Sequence, residues 1–269
     1  MDPSELLAIA EVVAEAAGTL LIEERPVALR VDSKSSPTDA VTEMDRRAET
    51  LITTMLADLR PGDGLLGEEG ASSPSQSGVR WIVDPLDGTV NYLYGLPLWA
   101  VSVAAEVEGE VAAGVVDVPA LGRRYVASRG AGARCFVGGQ TRSIGVSSVQ
   151  DLGMALVGTG FGYSGQRRAA QAARVATLLP MVRDIRRLGS AALDLCLVAH
   201  GEIDAYYESG LNPWDYAAGA LIAHEAGARV RGGDGDWPDA TMAFAAAPGI
   251  ESALWRALSV GPGDSAVAT

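Results

Sequence analysis

The stretch Asp84-Pro85-Leu86-Asp87-Gly88-Thr89 sets two carboxylates and a hydroxyl close together, directly after the apolar run Trp81-Ile82-Val83. A short apolar run cut off by Asp-Pro reads as a buried strand, so both acids leave one strand end. Pro85 holds Asp84 extended, and Gly88 permits close backbone approach, so free N–H groups can face an anion where the next element starts. Carboxylates suited to a cation thus stand beside amides suited to a phosphate. Asp-Pro and Asp-Gly are also ordinary turn dipeptides, and taken alone the stretch reads first as a strand-to-helix turn.

Two further groups of acids change that balance. Gly67-Glu68-Glu69-Gly70 follows the apolar pair Leu65-Leu66, and Asp215 lies in Pro213-Trp214-Asp215-Tyr216-Ala217-Ala218-Gly219. A hard divalent cation such as magnesium takes carboxylate oxygens, with water and substrate phosphate completing an octahedron. Each acid also has an ordinary role. Glu68 and Glu69 could be solvated surface charges, and Asp215 stands where helix caps are routine. Asp45, in Thr42-Glu43-Met44-Asp45, fits a capping box.

Taken together and in this order, Gly67-Glu68-Glu69, Asp84 to Asn91 and Trp214-Asp215-Tyr216-Ala217-Ala218-Gly219 resemble the signature of the inositol monophosphatase family, magnesium-dependent and lithium-sensitive phosphatases. The similarity runs from about Leu6 to Leu258. It implies the five-layer αβαβα sandwich of the inositol monophosphatase and fructose-bisphosphatase superfamily, two to three magnesium ions and commonly a homodimer. Glu68 is the Glu of its pair that matches a metal ligand.

The mechanism so implied is hydrolysis of a small phosphate monoester by in-line attack of water. One magnesium, held by Glu68, Asp84 and the Leu86 carbonyl, would acidify that water. A second, held by Asp84, Asp87 and Asp215, would stabilise the leaving oxygen, and a weaker third would sit near Glu68. The resemblance pairs Asp45 with Thr89 to orient the nucleophile, and gives phosphate oxygens to the amides around Gly88 and Thr89. Glu208 matches the position that hydrogen-bonds substrate hydroxyls, in a pocket shared with Ala191 of Gly189-Ser190-Ala191-Ala192 and with Asp215. Glu208 and the stretch Gly189-Ser190-Ala191-Ala192-Leu193-Asp194 resemble true inositol monophosphatases, which ranks inositol 1-phosphate first as substrate. Histidinol phosphate, fructose bisphosphate, NADP and adenosine bisphosphate are rivals of the same class, and an RNA-polymerase-associated regulatory protein on the same fold is a rival of another class.

Composition bounds the rest. The chain has 269 residues, is 48% hydrophobic and carries a net charge of −13 from 21 basic and 34 acidic residues. That is ample for a core, and it disfavours nonspecific binding to nucleic acid or anionic membranes. An acidic protein taking an anionic substrate needs local positive charge, which bound metal supplies. No apolar run of about 18 residues occurs, and Asp2, Glu5 and Glu11 stand where a signal peptide needs bases, which together predict a cytoplasmic protein. Cys135 and Cys196 show no ligand spacing and read as buried small hydrophobes.

The elements that must position the acids follow from periodicity. A helix is expected from Ser4, its N-cap, to about Glu24, and a strand over Val27 to Val31. A polar loop follows to Asp39, and the resemblance makes it mobile and brings Lys34 toward the metals. A second helix opens at Thr42, with a stripe of Leu51, Ile52, Met55, Leu56 and Leu59. Ala71 to Gly78 reads as a mobile Ser-rich loop. Strands joined by hairpins over Trp99 to Glu106, Val111 to Val118, Arg123 to Ser128 and Cys135 to Val146 predict helices on an antiparallel sheet, so 1–146 is an α+β domain. From Met154 onward strands and helices alternate, which makes 147–260 an α/β domain supplying Asp215 and the substrate pocket, with 261–269 a disordered tail.

Other signals are weaker. Gly158-Thr159-Gly160-Phe161-Gly162 lacks full dinucleotide-binding spacing and reads as a loop over the site. His200 and His224 are solitary and read as structural. Arg183, Arg186 and Arg187 fit a solvated face, a dimer contact or a rim attracting phosphate.

Overall fold

The computed structural model describes residues 2–26, 31–33 and 40–259. Lys34, most of the strand and loop expected over 27–39, and the tail 261–269 lie outside these residues. Among the described residues no helix is long and apolar enough to cross a membrane.

Helix α1 (Pro3–Glu23) is capped by Asp2, whose Oδ1 accepts the Ser4 amide at 2.9 Å. Proline is preorganised for the first helical position and needs no donor there, so the helix begins before the expected Ser4 cap. Strands β1 (Val31–Ser33) and β2 (Ala40–Thr42) pair antiparallel, and β2 runs straight into α2 (Glu43–Leu59). Ile52 and Leu56 are buried as expected, together with Met44 and Ala48. Leu59 is 49% exposed. The place one turn beyond Leu56 belongs to Arg60, whose Nε donates to Asp63 Oδ2 at 2.9 Å.

The first large sheet contains β3 (Gly64–Gly67), β4 (Ser72–Ser73), β5 (Val79–Asp87), β6 (Ala100–Val107), β7 (Glu110–Val118), β8 (Arg123–Ser128), β9 (Ala133–Val137) and β10 (Gln140–Ser143), in the order β10-β9-β8-β7-β6-β5-β3-β4. Helix α3 (Thr89–Tyr94) lies between β5 and β6 in the chain. The sheet is antiparallel except that β3 and β5 run parallel. The one strand expected over Cys135 to Val146 is a hairpin, β9 and β10, turned at Gly138 and Gly139, both at positive φ. Part of the Ser-rich segment is ordered against β3, with Leu65 opposite Ser73.

The second sheet contains β11 (Leu156–Thr159), β12 (Asp184–Arg186), β13 (Ala205–Glu208), β14 (Arg229–Arg231) and β15 (Ala243–Ala246), in the order β12-β11-β13-β15-β14. Strand β11 is parallel to β12 and β13, while β15 is antiparallel to β13 and β14. Its helices are α4 (Gly165–Leu178), α5 (Ala191–Ala199), α6 (Pro213–Glu225) and α7 (Glu251–Ser259).

Five layers result. Helices α1 and α2 cover one face of the first sheet, α5 and α6 fill the space between the sheets, and α4 and α7 cover the outer face of the second. Every residue of α5 is buried, which explains its apolar character all round. Close approach needs small residues: a Cβ on Gly114 of β7 would lie 3.0 Å from the Ala218 Cα of α6.

Candidate active site

Strand β5 carries two of the acids, and its irregularity aims them. Asp84 pairs with Ser102 and Asp87 with Ala100, so three steps on β5 match two on β6. Residues three apart in a regular strand face opposite sides; one extra residue returns Asp84 and Asp87 to the same side. Pro85 costs no ladder bond inside that bulge. The Leu86 amide donates to Asp84 Oδ1 at 2.9 Å, closing a turn across the proline. Gly88 then adopts φ +94°, and a Cβ there would stand 2.9 Å from the Leu98 carbonyl oxygen, so both conformation and space demand glycine.

Asp45 makes two sets of contacts, one to the start of α2 and one to Thr89. Its Oδ2 accepts the Thr42 amide at 2.8 Å and the Thr42 hydroxyl at 2.5 Å, completing the capping box of α2. Its Oδ1 accepts the Thr89 hydroxyl at 2.9 Å. Thr89 Oγ1 also lies 3.1 Å from the Leu86 carbonyl oxygen. Asp45 is fully buried, and a helix N-terminus compensates its charge.

The second half of the chain closes the site. Asp87 Oδ2 accepts the Ser190 hydroxyl and the Ala192 amide, each at 2.7 Å, so the start of α5 is tied to the end of β5. Asp215 stands at the third position of α6, and its Oδ2 accepts the Asn212 amide at 2.6 Å. Glu208 ends β13 and accepts the Tyr206 hydroxyl at 2.6 Å. A Cβ on Gly160 would fall 1.7 Å from Glu208 Oε2, so the glycine run after β11 is room made for this carboxylate.

Asp84, Leu86, Asp87, Ser190, Glu208 and Asp215 line one cavity of about 340 Å³, together with Glu68, Gly88, Thr89, Ala191 and Trp214, while Asp45 stands behind Thr89 and does not line it. Burial pushes the Asp84 carboxyl well above the usual range, and Glu68, Asp87 and Asp215 push it further. Burial also raises Asp87, to about 7, against the hydrogen bonds from Ser190 and Ala192. Asp215 keeps some contact with the pocket, yet desolvation by the protein around it raises its carboxyl, followed by repulsion from Asp87. Burial raises Glu208 as well, opposed by the Tyr206 hydrogen bond and by Arg187 and Arg167.

Some lining residues were not singled out as site residues from the sequence. Asp194 is 1% exposed, its Oδ1 has no hydrogen-bond partner among the described residues, and its carboxyl is held well above the usual range by burial, Asp87 and Glu208. It is the acid of the wholly buried helix α5, a feature visible once that helix is recognised as core. Arg167 reaches the cavity across Gly210, whose carbonyl accepts from Nη1 at 3.2 Å. Of the three arginines left open, Arg187 lines the cavity, Arg186 pairs with Asp184 and Arg183 contacts Met154. His200 stacks edge-on against Tyr125 and His224 against Trp237, and both cysteines are buried. A larger hollow of about 470 Å³ lies beside α1, and in its wall Arg124 pairs with Asp117 and Glu15.

Among the described residues no three acids are drawn together tightly enough to hold an ion as they stand. Asp84, Asp87 and Asp215 each turn an oxygen to a nearby backbone amide instead. The donor set nevertheless fits a hard divalent cation. Asp84 faces Glu68, Asp87 and Asp215, whose charges push its carboxyl up, and a cation among these oxygens would offset that repulsion.

The model of the inositol monophosphatase family matches residues 2–259. The inositol-1-monophosphatase of Mycobacterium leprae is 48% identical over 274 residues, covering 96% of this chain and 94% of that protein. The solved structure of Mycobacterium tuberculosis SuhB superposes with a TM-score of 0.83 at 45% identity, covering 96% of each chain. A Nus factor SuhB of Xylella fastidiosa is 41% identical over 220 residues, covering 81% of this chain and 78% of that protein.

Proposed function

The chain belongs to the inositol monophosphatase family, and from that premise we propose that it hydrolyses inositol 1-phosphate to inositol and phosphate with magnesium as cofactor. The observation that carries the proposal is the convergence of Glu68, Asp84, Asp87 and Asp215 in one cavity with Thr89 bonded to Asp45. Glu68, Asp84 and the Leu86 carbonyl would hold one ion, and Asp84, Asp87 and Asp215 another, with a weaker third near Glu68. When bound, the ions would offset phosphate charge and acidify the attacking water.

The chain's own groups do the positioning. Thr89 Oγ1, held by Asp45, offers a fixed hydrogen-bonding atom to the attacking water. The amides of Gly88 and Thr89 hold non-bridging phosphate oxygens. Water attacks phosphorus opposite the ester oxygen and gives up one proton to solvent, the P–O ester bond breaks, and the departing alcohol oxygen takes up a proton from solvent. Glu208, anchored by Tyr206, accepts substrate hydroxyls beside Ala191 and Asp215, which sets the alcohol that fits. We place the active unit as a cytoplasmic homodimer, with the site between domains 1–146 and 147–260.

Phosphate release from inositol 1-phosphate, histidinol phosphate, fructose 1,6-bisphosphate and NADP, with magnesium and with chelator, tests this reading. Magnesium-dependent preference for the inositol ester supports it, and preference for another ester replaces the substrate while keeping the chemistry. A second reading, a regulatory role on the same fold, is favoured by the likeness to a protein named Nus factor. Absence of turnover on every ester, with capture of transcription components by an Asp84→Asn variant, would put that reading first.

A further inference from the structure

Helix α2 presents two buried acids one turn apart, Asp45 at 0% and Glu49 at 6% exposure, on a face otherwise made of Met44, Ala48, Ile52 and Leu56. Asp45 holds Thr89. Glu49 reaches in the other direction, to the turn that carries Glu68. Its Oε2 accepts the Glu69 amide at 2.8 Å and its Oε1 accepts the Ala71 amide at 2.9 Å. Both oxygens of one carboxylate are thus spent on backbone N–H groups of this turn.

Two neighbouring amides are held by backbone carbonyls. The Gly67 amide donates to the Ala71 carbonyl at 2.7 Å, and the Glu68 amide donates to the Val83 carbonyl at 3.2 Å. Val83 precedes Asp84. Glu68 is therefore pinned on one side to β5 beside Asp84 and on the other, through Glu69, to α2. Gly67 is the residue that admits Glu49, since a Cβ there would lie 2.4 Å from Glu49 Oε2 and 2.9 Å from its Cδ. Gly70, at φ +110°, lets the turn reverse between the two captured amides.

We propose that Glu49 is a positioning residue for the metal centre: it holds the Glu68–Ala71 turn so that the Glu68 carboxylate stands beside Asp84, and thereby sets the affinity for the divalent cation. This rests on the reading of Glu68 and Asp84 as metal ligands. Outer carboxylates that orient ligands elsewhere change metal affinity by about 10- to 100-fold when removed, and the same range applies here. In the Glu49→Gln variant the side-chain nitrogen would face one of the two N–H groups, so the substitution keeps the shape and removes one acceptor.

Calorimetric titration of the full-length protein with magnesium ion, before any substrate is added, tests the inference. The expected result is about 10-fold weaker binding in Glu49→Gln and Gly67→Ala, with faster hydrogen exchange at the Glu69 and Ala71 amides. In activity assays the magnesium concentration for half-maximal rate should rise while kcat at saturating magnesium changes little. Gly67→Ala should cost far less in a Glu49→Ala background, because the clashing carboxylate is gone. A Glu49→Gln protein that melts earlier yet binds magnesium like wild type, or additive losses in the double variant, would overturn the inference. Absence of magnesium binding by the wild-type protein would instead overturn the metal reading, whatever the exchange rates of the turn.

Discussion

Asp87 at the end of β5 and Ser190 at the start of α5 are joined by a 2.7 Å hydrogen bond, although 103 positions separate them in the chain. The same Ser190 hydroxyl accepts the Leu193 amide at 3.3 Å and so caps α5. One side chain thus starts a buried helix and orients a site carboxylate. Ser190→Ala removes both interactions while the Ala192 amide still holds Asp87. The expected outcome is a loss of about 1 kcal/mol in stability from the missing cap, read by denaturant unfolding, with a fall in kcat/KM at fixed magnesium. Unchanged kcat/KM would separate the cap from the site.

Asp84 stands among other acids of the site: Glu68, Asp87 and Asp215 all act on it. Asp84→Asn should abolish turnover and weaken magnesium binding while leaving a folded protein, because the neutral amide relieves repulsion among the buried acids. Phosphate release and circular dichroism check both halves. Magnesium-dependent turnover in this variant would remove Asp84 from the metal centre.

The two duties of Asp45 can be told apart at Thr42. Thr42→Ala removes the N-cap of α2 and should cost about 1 kcal/mol in stability, with most of kcat retained. Asp45→Asn lowers stability too, and it also replaces the acceptor of the Thr89 hydroxyl, so kcat should fall much further. Equal kcat values for the two variants would reduce Asp45 to a cap.

Glu208 and Gly160 should fail together. Glu208→Gln is expected to alter the ranking of phosphate esters by KM more than the rate on any one of them. Gly160→Ala drives a methyl group to within 1.7 Å of where Glu208 Oε2 lies, and should disturb the same ranking. Uniform loss on every ester in Glu208→Gln would assign this carboxylate to the chemistry instead of to alcohol recognition.

What could be read from the chain alone was local. Asp84, Asp87 and Gly88 lie within one turn, and Pro and Gly dictate backbone geometry through their own covalent structure, so this stretch was legible without the fold. The alternation of strands and helices depends on near-neighbour spacing and was likewise visible, apart from the Gly138-Gly139 hairpin and the parallel pairing of β3 with β5. Asp45 stayed ambiguous because its cap partner is three residues away and Thr89 is 44 away, and only the first contact can be inferred from spacing.

Tertiary structure decided the rest. Glu49 looked like any polar residue of an amphipathic helix, and its partners Glu69 and Ala71 come from a turn 20 and 22 residues on. Asp194 became notable only when α5 proved buried on every side, which turns an ordinary acid into one held well above its usual pKa. The glycines after β11 read only as a loop over the site, and the reason for Gly160 appeared when Glu208 was found filling its space. In each case the deciding quantity is burial or a long-range contact. Residue type and short-range spacing set the chemistry a side chain can do, whereas packing of distant segments sets its solvent access and its partners.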